Sequence, residues 1–298
     1  MSTRRETLSF GMALGAAQLL RSVGVGALPA TAVLPQVLKT IPSTGEKLPA
    51  VGLGTDQFRD SERDNIRAEI QRLPQLGGSV IDTAAAYGDS EALIGEAVAA
   101  LGIRDRLFLA TKLTAEDSFD RSLARLKTQR IDLLQVHNLE GVEALMPVMQ
   151  KWKQAGKIRY IGITTSRVAQ HSRMVEYLRQ YPLDFVQVDY SLANRDAAAN
   201  VLPTAMERRV AVLANIPFGF GSVLRQAQTR KLPDWAADVG AATWGQFLLK
   251  YVISHPAVTC VIPGSTKIEH LEDNQRAGHG LLPDEAMRKK MEAFWDAG

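Results

Sequence analysis

Eight short apolar runs, separated by stretches with the spacing of amphipathic helices, constrain this chain more than any other feature. The runs are Val51–Gly54, Ser79–Asp82, Leu107–Lys112, Ile131–His137, Tyr160–Thr164, Phe185–Tyr190, Val210–Asn215 and Val258–Pro263. They are short and rich in Val, Ile and Leu, as buried parallel strands are. Between them lie Glu91–Leu101, Val142–Gln154 and Val168–Tyr181, whose apolar residues recur at helical period. Eight strand–helix alternations without a linker predict an α/β fold, a parallel (β/α)8 barrel of the TIM type rather than an open sheet. The segment KTIPSTGEKLPAVGLGT, with Ser43-Thr44-Gly45 as its turn, predicts an N-terminal β-hairpin that closes the bottom of the barrel. Asp284–Trp295 predicts an extra C-terminal helix. The longest connection, Phe218 to Ala241, reads as a loop over the mouth.

Strand ends of a parallel barrel converge on one mouth, so the polar residues at those ends matter. Asp82 closes the second run and Tyr87 follows it in DTAAAYGDSE; Lys112 closes LFLATK and His137 closes IDLLQVH. A phenol stays protonated at neutral pH yet can yield its proton in a transition state. A neighbouring ammonium stabilises the phenolate and is expected to lower the phenol's pKa. A carboxylate offsets the cost of burying that ammonium, and an imidazole can donate to a carbonyl oxygen. Each residue alone has a plainer reading: a structural tyrosine, an ion pair, a core histidine. Their order on successive strands is far more specific.

With Asp82, Tyr87, Lys112 and His137 in this order, the chain resembles the aldo-keto reductase superfamily from about Leu48 to Asn274. The resemblance implies a single domain over residues 33–298. It implies an NAD(P)H-dependent oxidoreductase that reduces an aldehyde or ketone, or oxidises the matching alcohol, with Tyr87 as general acid assisted by Lys112, Asp82 and His137. It also assigns cofactor residues. Ser166 and Gln187 resemble the pair that holds the nicotinamide carboxamide, although Ser166 reads equally as a helix N-cap. The segment IPGSTKIEHLEDN resembles the dinucleotide segment: Gly264, Ser265 and Thr266 at a phosphate, Lys267 and His270 at a 2′-phosphate, Asn274 at the adenine. NADPH/NADP+ is expected over NADH. Two departures stand out. Gly264 and His270 occupy positions where many members carry Lys and Arg. Asn215 stands where many carry a tyrosine stacked on the nicotinamide, which leaves Pro217 and Phe218, just beyond it, to line the ring. Only Leu113 to Asp117 separate Lys112 from the next helix, so the substrate side is expected to be open.

Composition excludes several alternatives. Arg4, Arg5 and Arg21 against Glu6 put +2 of the +3 net charge into residues 1–32. The body is left near neutrality, which gives no basis for nucleic acid or an anionic membrane as a partner. Cys260, in VTCVIP, is the single cysteine; it forms no internal disulfide or cysteine metal cluster and is expected in the core. The five histidines have no metal-ligand spacing, no metal site is expected, and His171, His255 and His279 read as surface or cap residues. Residues 1–32 combine Arg4-Arg5, an apolar stretch from Phe10 to Leu20 and a small-residue Ala30-Thr31-Ala32. This resembles a twin-arginine export signal, which implies the twin-arginine machinery as partner and a periplasmic location; the same segment also reads as a disordered basic terminus of a cytoplasmic protein. Its apolar part is too short for a stable membrane span. Two other functions remain open: a Schiff-base lyase using Lys112, and a cofactor-binding regulatory barrel with little turnover.

Overall fold

Ten strands and ten helices make up residues 34–298, the part of the chain that this computed structural model describes; the expected signal segment lies outside the described residues. Strands β1 (Leu38–Thr40) and β2 (Lys47–Pro49) pair antiparallel as the expected hairpin. The parallel strands are β3 (Leu53–Gly54), β4 (Val80–Asp82), β5 (Phe108–Leu113), β6 (Ile131–Val136), β7 (Ile158–Thr164), β8 (Phe185–Asp189), β9 (Ala211–Asn215) and β10 (Val258–Val261). Each pairs with the next in sequence. Short bridges from Val51 to Val261 and from Gly54 to Gly264 join the first of them to the last. The sheet therefore closes into the (β/α)8 barrel. Closure depends on Gly54: a Cβ there would lie 2.8 Å from the Ile262 carbonyl oxygen, so only glycine admits this approach.

The helices are α1 (Arg63–Arg72), α2 (Ser90–Leu101), α3 (Ser118–Arg125), α4 (Val142–Gln154), α5 (His171–Gln180), α6 (Val201–Glu207), α7 (Ser222–Gln228), α8 (Trp244–Ser254), α9 (Ile268–Ala277) and α10 (Glu285–Asp296). The last is the expected C-terminal helix, and its N-cap Asp284 accepts from Met287 N at 2.8 Å. The connection after β9 differs from the expected loop. It holds α7 and a turn of 3-10 helix at Asp234–Val239, because Val223, Ala227, Ala236 and Val239 have apolar surface to bury.

Two layers of core result, as strands buried on both faces require. Val80, Phe108, Leu133, Tyr160, Phe185, Leu213 and Cys260 fill the barrel interior, with Ile41 and Leu48 of the hairpin among them. Cys260 is buried there as a small core residue. The outward-facing Ile81, Leu109, Leu134, Ile161 and Val212 join the helices in the second layer. No helix among the described residues is long and apolar enough to cross a membrane.

Candidate active site

Strand register brings the polar residues together. Asp82 ends β4; Lys112 lies on β5 beside Gln135 of β6; Gln135 faces Gly162 of β7; Thr164 of β7 pairs with Gln187 of β8. Gly162 matters because a Cβ there would lie 3.0 Å from Gln135 Cγ. Without that side chain Gln135 reaches across the barrel, 3.2 Å from Asp82 Oδ1.

Asp82 is the hub. Its carboxylate forms a buried ion pair with Lys112 Nζ and accepts from Gln187 Nε2 at 2.8 Å and from Gln135 Nε2. Lys112 Nζ also donates to Thr83 O at 2.8 Å. Its remaining direction points to the Tyr87 hydroxyl at 3.5 Å, the outer limit of a hydrogen bond. Tyr87 stands on the turn after β4, and His137 meets its ring edge-on with centroids 5.7 Å apart. Beyond His137 the backbone turns through two left-handed residues, Asn138 (φ 54°) and Leu139 (φ 60°). This locally strained turn lets Asn138 N donate to Thr164 Oγ1 at 3.1 Å.

Electrostatics sort these groups into roles. Burial works against the charge on Lys112, but Asp82 and Tyr87 outweigh it and hold the ammonium above its ordinary range. His137 is pushed down to about 4 by burial and by the charge of Lys112, so it is a neutral donor at pH 7, not an acid. Tyr87 departs from the expectation of a lowered pKa. Burial raises it, Lys112 opposes the rise, and Asp82 adds to it. The carboxylate behind the ammonium offsets part of its effect, so desolvation of the phenolate wins.

These residues open on a cavity of about 660 Å3. Of the expected cofactor residues, Ser166, Gln187, Asn215, Pro217, Phe218 and Gly264 line it. Ser166 is exposed and caps no helix. Gln187 is turned inward: its amide nitrogen serves Asp82 and its oxygen accepts from Asn215 Nδ2 at 3.3 Å. Asn215 Oδ1 is buried with no partner among the described residues, and Asn215 lines the cavity. Lys267 and His270 are exposed around the start of α9, Thr266 is half-buried beside them and Asn274 is buried further along. Ser265 is expected at a phosphate through its side chain or backbone; its hydroxyl faces Glu69 of α1 at 2.6 Å. That leaves the backbone of this loop and Thr266 for an anion at the helix start. His171, expected at the surface or as a cap, stands at the start of α5, buried and bonded to Asp189 at 2.9 Å.

Other lining residues carried no signal in the sequence reading: Asp56, Asn138, Thr164, Phe220 and Leu224. Gln135, behind the floor, was also missed; a polar residue inside an otherwise apolar strand run was the available clue.

Comparison with known proteins agrees with this geometry. Residues 50–295 match the aldo/keto reductase family. The chain belongs to that family. It is 32% identical over 222 residues to the aldo-keto reductase YhdN of Bacillus subtilis, a match covering 65% of this chain and 64% of that protein. It is 29% identical over 252 residues to the methylglyoxal reductase YeaE of Escherichia coli, covering 79% of this chain and 88% of that one. The aldo/keto reductase of Klebsiella pneumoniae, solved with NADP and acetate, superposes with a TM-score of 0.74 at 26% identity over 86% of this chain and 95% of its own.

Proposed function

We propose that this protein reduces an aldehyde or ketone using NADPH, with Tyr87 as the proton donor. One observation carries the reading: Tyr87 and a neutral imidazole line one wall of a cavity of about 660 Å3, with a paired, buried ammonium 3.5 Å from the Tyr87 hydroxyl. The family membership and the NADP in the Klebsiella pneumoniae relative support the cofactor.

The residues fit a nicotinamide dinucleotide. Asn215 Oδ1, without a partner among the described residues, suits an amide N–H, and Ser166 adds an exposed hydroxyl to the same cavity lining. Pro217 and Phe218 offer apolar surface for a ring. Gly264, Thr266, Lys267 and His270 surround the start of α9, where phosphate is favoured, and Asn274 lies further along for the adenine. A dinucleotide held by these residues would supply the hydride for the carbonyl carbon.

His137 donates to the carbonyl oxygen and orients it. Its low pKa keeps it neutral, so it does not compete as the acid. Tyr87 delivers the proton to the same oxygen. Its raised pKa keeps it fully loaded, and the nascent alkoxide is basic enough to take the proton. Lys112 lowers the cost of the phenolate left behind, and Asp82, held by Gln135 and Gln187, keeps Lys112 charged and aimed. A charged lysine is a poor nucleophile, which disfavours Schiff-base chemistry. A complete proton-transfer set disfavours a regulatory barrel without turnover. Tyr87→Phe should cut reduction of a panel of small aldehydes by about 100-fold to 10,000-fold with NADPH affinity retained; unchanged turnover refutes the assignment.

Residues 1–32 are proposed to direct twin-arginine export to the periplasm, supported by Arg4-Arg5, the apolar stretch and Ala30-Thr31-Ala32. Residues 33–298 are then the catalytic domain.

A further inference from the structure

Beneath the loop that leads into α9 lies a carboxyl group that the reduction chemistry does not use. Glu69, on α1, is fully buried. Its Oε1 lies 2.6 Å from Ser265 Oγ, and its Oε2 has no partner among the described residues. Ser265 Oγ also lies 2.9 Å from Lys267 O and accepts from Lys267 N at 3.2 Å. A hydroxyl has one proton, yet this one faces two acceptors, Glu69 Oε1 and Lys267 O. The set is satisfied when Glu69 carries a proton of its own. Glu69 O–H then donates to Ser265 Oγ, and Ser265 O–H donates to Lys267 O.

The surrounding charges do not favour an ionised Glu69. On α9, Glu272 is taken by Arg72 at 2.8 Å, Asp273 by Thr243 and Gln246, and Glu269 adds like charge. Lys267 and His270 are exposed around the helix start, and Arg276 lies in the last turn. On α2, Glu96 is taken by Arg63, which also holds Asp60 before α1, and Glu91 is taken by Arg125 at 3.3 Å. The turn Leu73–Leu76 has no charge. No cation pairs with Glu69 among the described residues. Burial, opposed by the bonds from Ser265 and Lys267, raises its pKa to about 7.

We propose that Glu69 is a positioning residue for the cofactor's phosphate loop and acts through a proton. Protonated, it fixes Ser265 and the start of α9 in the arrangement that accepts phosphate. Ionised, it draws the Ser265 proton away from Lys267 O and places a negative charge under the phosphate. Dinucleotide binding therefore draws a proton onto Glu69. This rests on the reading that a dinucleotide phosphate sits at the start of α9.

The test is calorimetric titration of the full chain with NADPH between pH 7 and pH 9, in buffers of different ionisation enthalpy. A one-unit rise in the Glu69 pKa on binding weakens NADPH about fivefold across that range and takes up about half a proton at pH 7.5. Glu69→Gln keeps a donor to Ser265 without a titrating group, and should lose both the slope and the proton uptake while binding NADPH as tightly as wild type does at pH 7. Equal slopes and equal proton counts in the two proteins overturn the proposal. Should the variant fail to fold, zero uptake by wild type at pH 7.5 overturns it equally. Failure of NADPH to bind at any pH refutes the dinucleotide reading on which it stands.

Discussion

Replacing Asp82 by asparagine tests the buried ion pair and the chemistry together. Lys112 is 1% exposed, and the Asp82 carboxylate is the one counter-charge paired with it among the described residues. Asparagine has the same shape and can still accept from Gln187 or Gln135, so packing survives. The charge does not: an amide turned to serve Gln187 presents its NH2 to the ammonium. Breaking one side of a buried pair costs about 3–5 kcal/mol. At roughly 2–4 °C per kcal/mol for a domain of this size, unfolding should fall by about 10 °C at pH 7. The sign with pH is distinctive. In wild type the Lys112 pKa is raised, so its contribution is fully present below the ordinary lysine pKa and is lost only as pH rises through the higher folded value. Without Asp82, burial dominates and the folded pKa drops below the ordinary value. The variant then gains stability as pH rises from 7 toward 10, where losing the proton no longer costs anything in the unfolded chain. Thermal unfolding across pH 7–10, with aldehyde reduction measured alongside, checks this. Turnover should fall because a neutral Lys112 no longer stabilises the Tyr87 phenolate. The double variant Asp82→Asn, Lys112→Met should recover stability but not activity. An Asp82→Asn protein that melts within 2 °C of wild type with a flat pH profile refutes the reasoning.

Two further outcomes rest on other groups. His137 and His255 are both held down to about 4, in each case first by burial, so the unfolded chain binds more protons between pH 6.5 and pH 4. Stability should decline as pH falls through that window, and replacing both by glutamine should flatten the decline in thermal melts; an unchanged acid slope would count against neutral, half-buried imidazoles. For export, Arg4→Lys with Arg5→Lys should retain the protein in the cytoplasmic fraction of a bacterium with a twin-arginine pathway; periplasmic recovery of the variant would sink that reading.

Much of this protein was legible from sequence, for identifiable reasons. Strands such as Leu107–Lys112 and Ile131–His137 stand out because both of their faces are buried, so apolar residues run without alternation, and the helices between them keep an exposed face and a visible period. Asp82, Lys112 and His137 stand out because polar side chains at the ends of such runs need a reason to be there. What the sequence could not determine depends on distance across the barrel. Gln135 reaches Asp82 only because Gly162 clears its path, 53 residues of chain separating the two partners. Ser265 turns to Glu69 across 196 residues, which no local pattern encodes. The direction of the Tyr87 shift is likewise a tertiary property: residue types name the opposing charges, but only packing sets how much water remains to solvate a phenolate. Periodicity thus specified the elements and the residues worth watching, while the closed barrel decided which polar atoms meet and which are left without a partner.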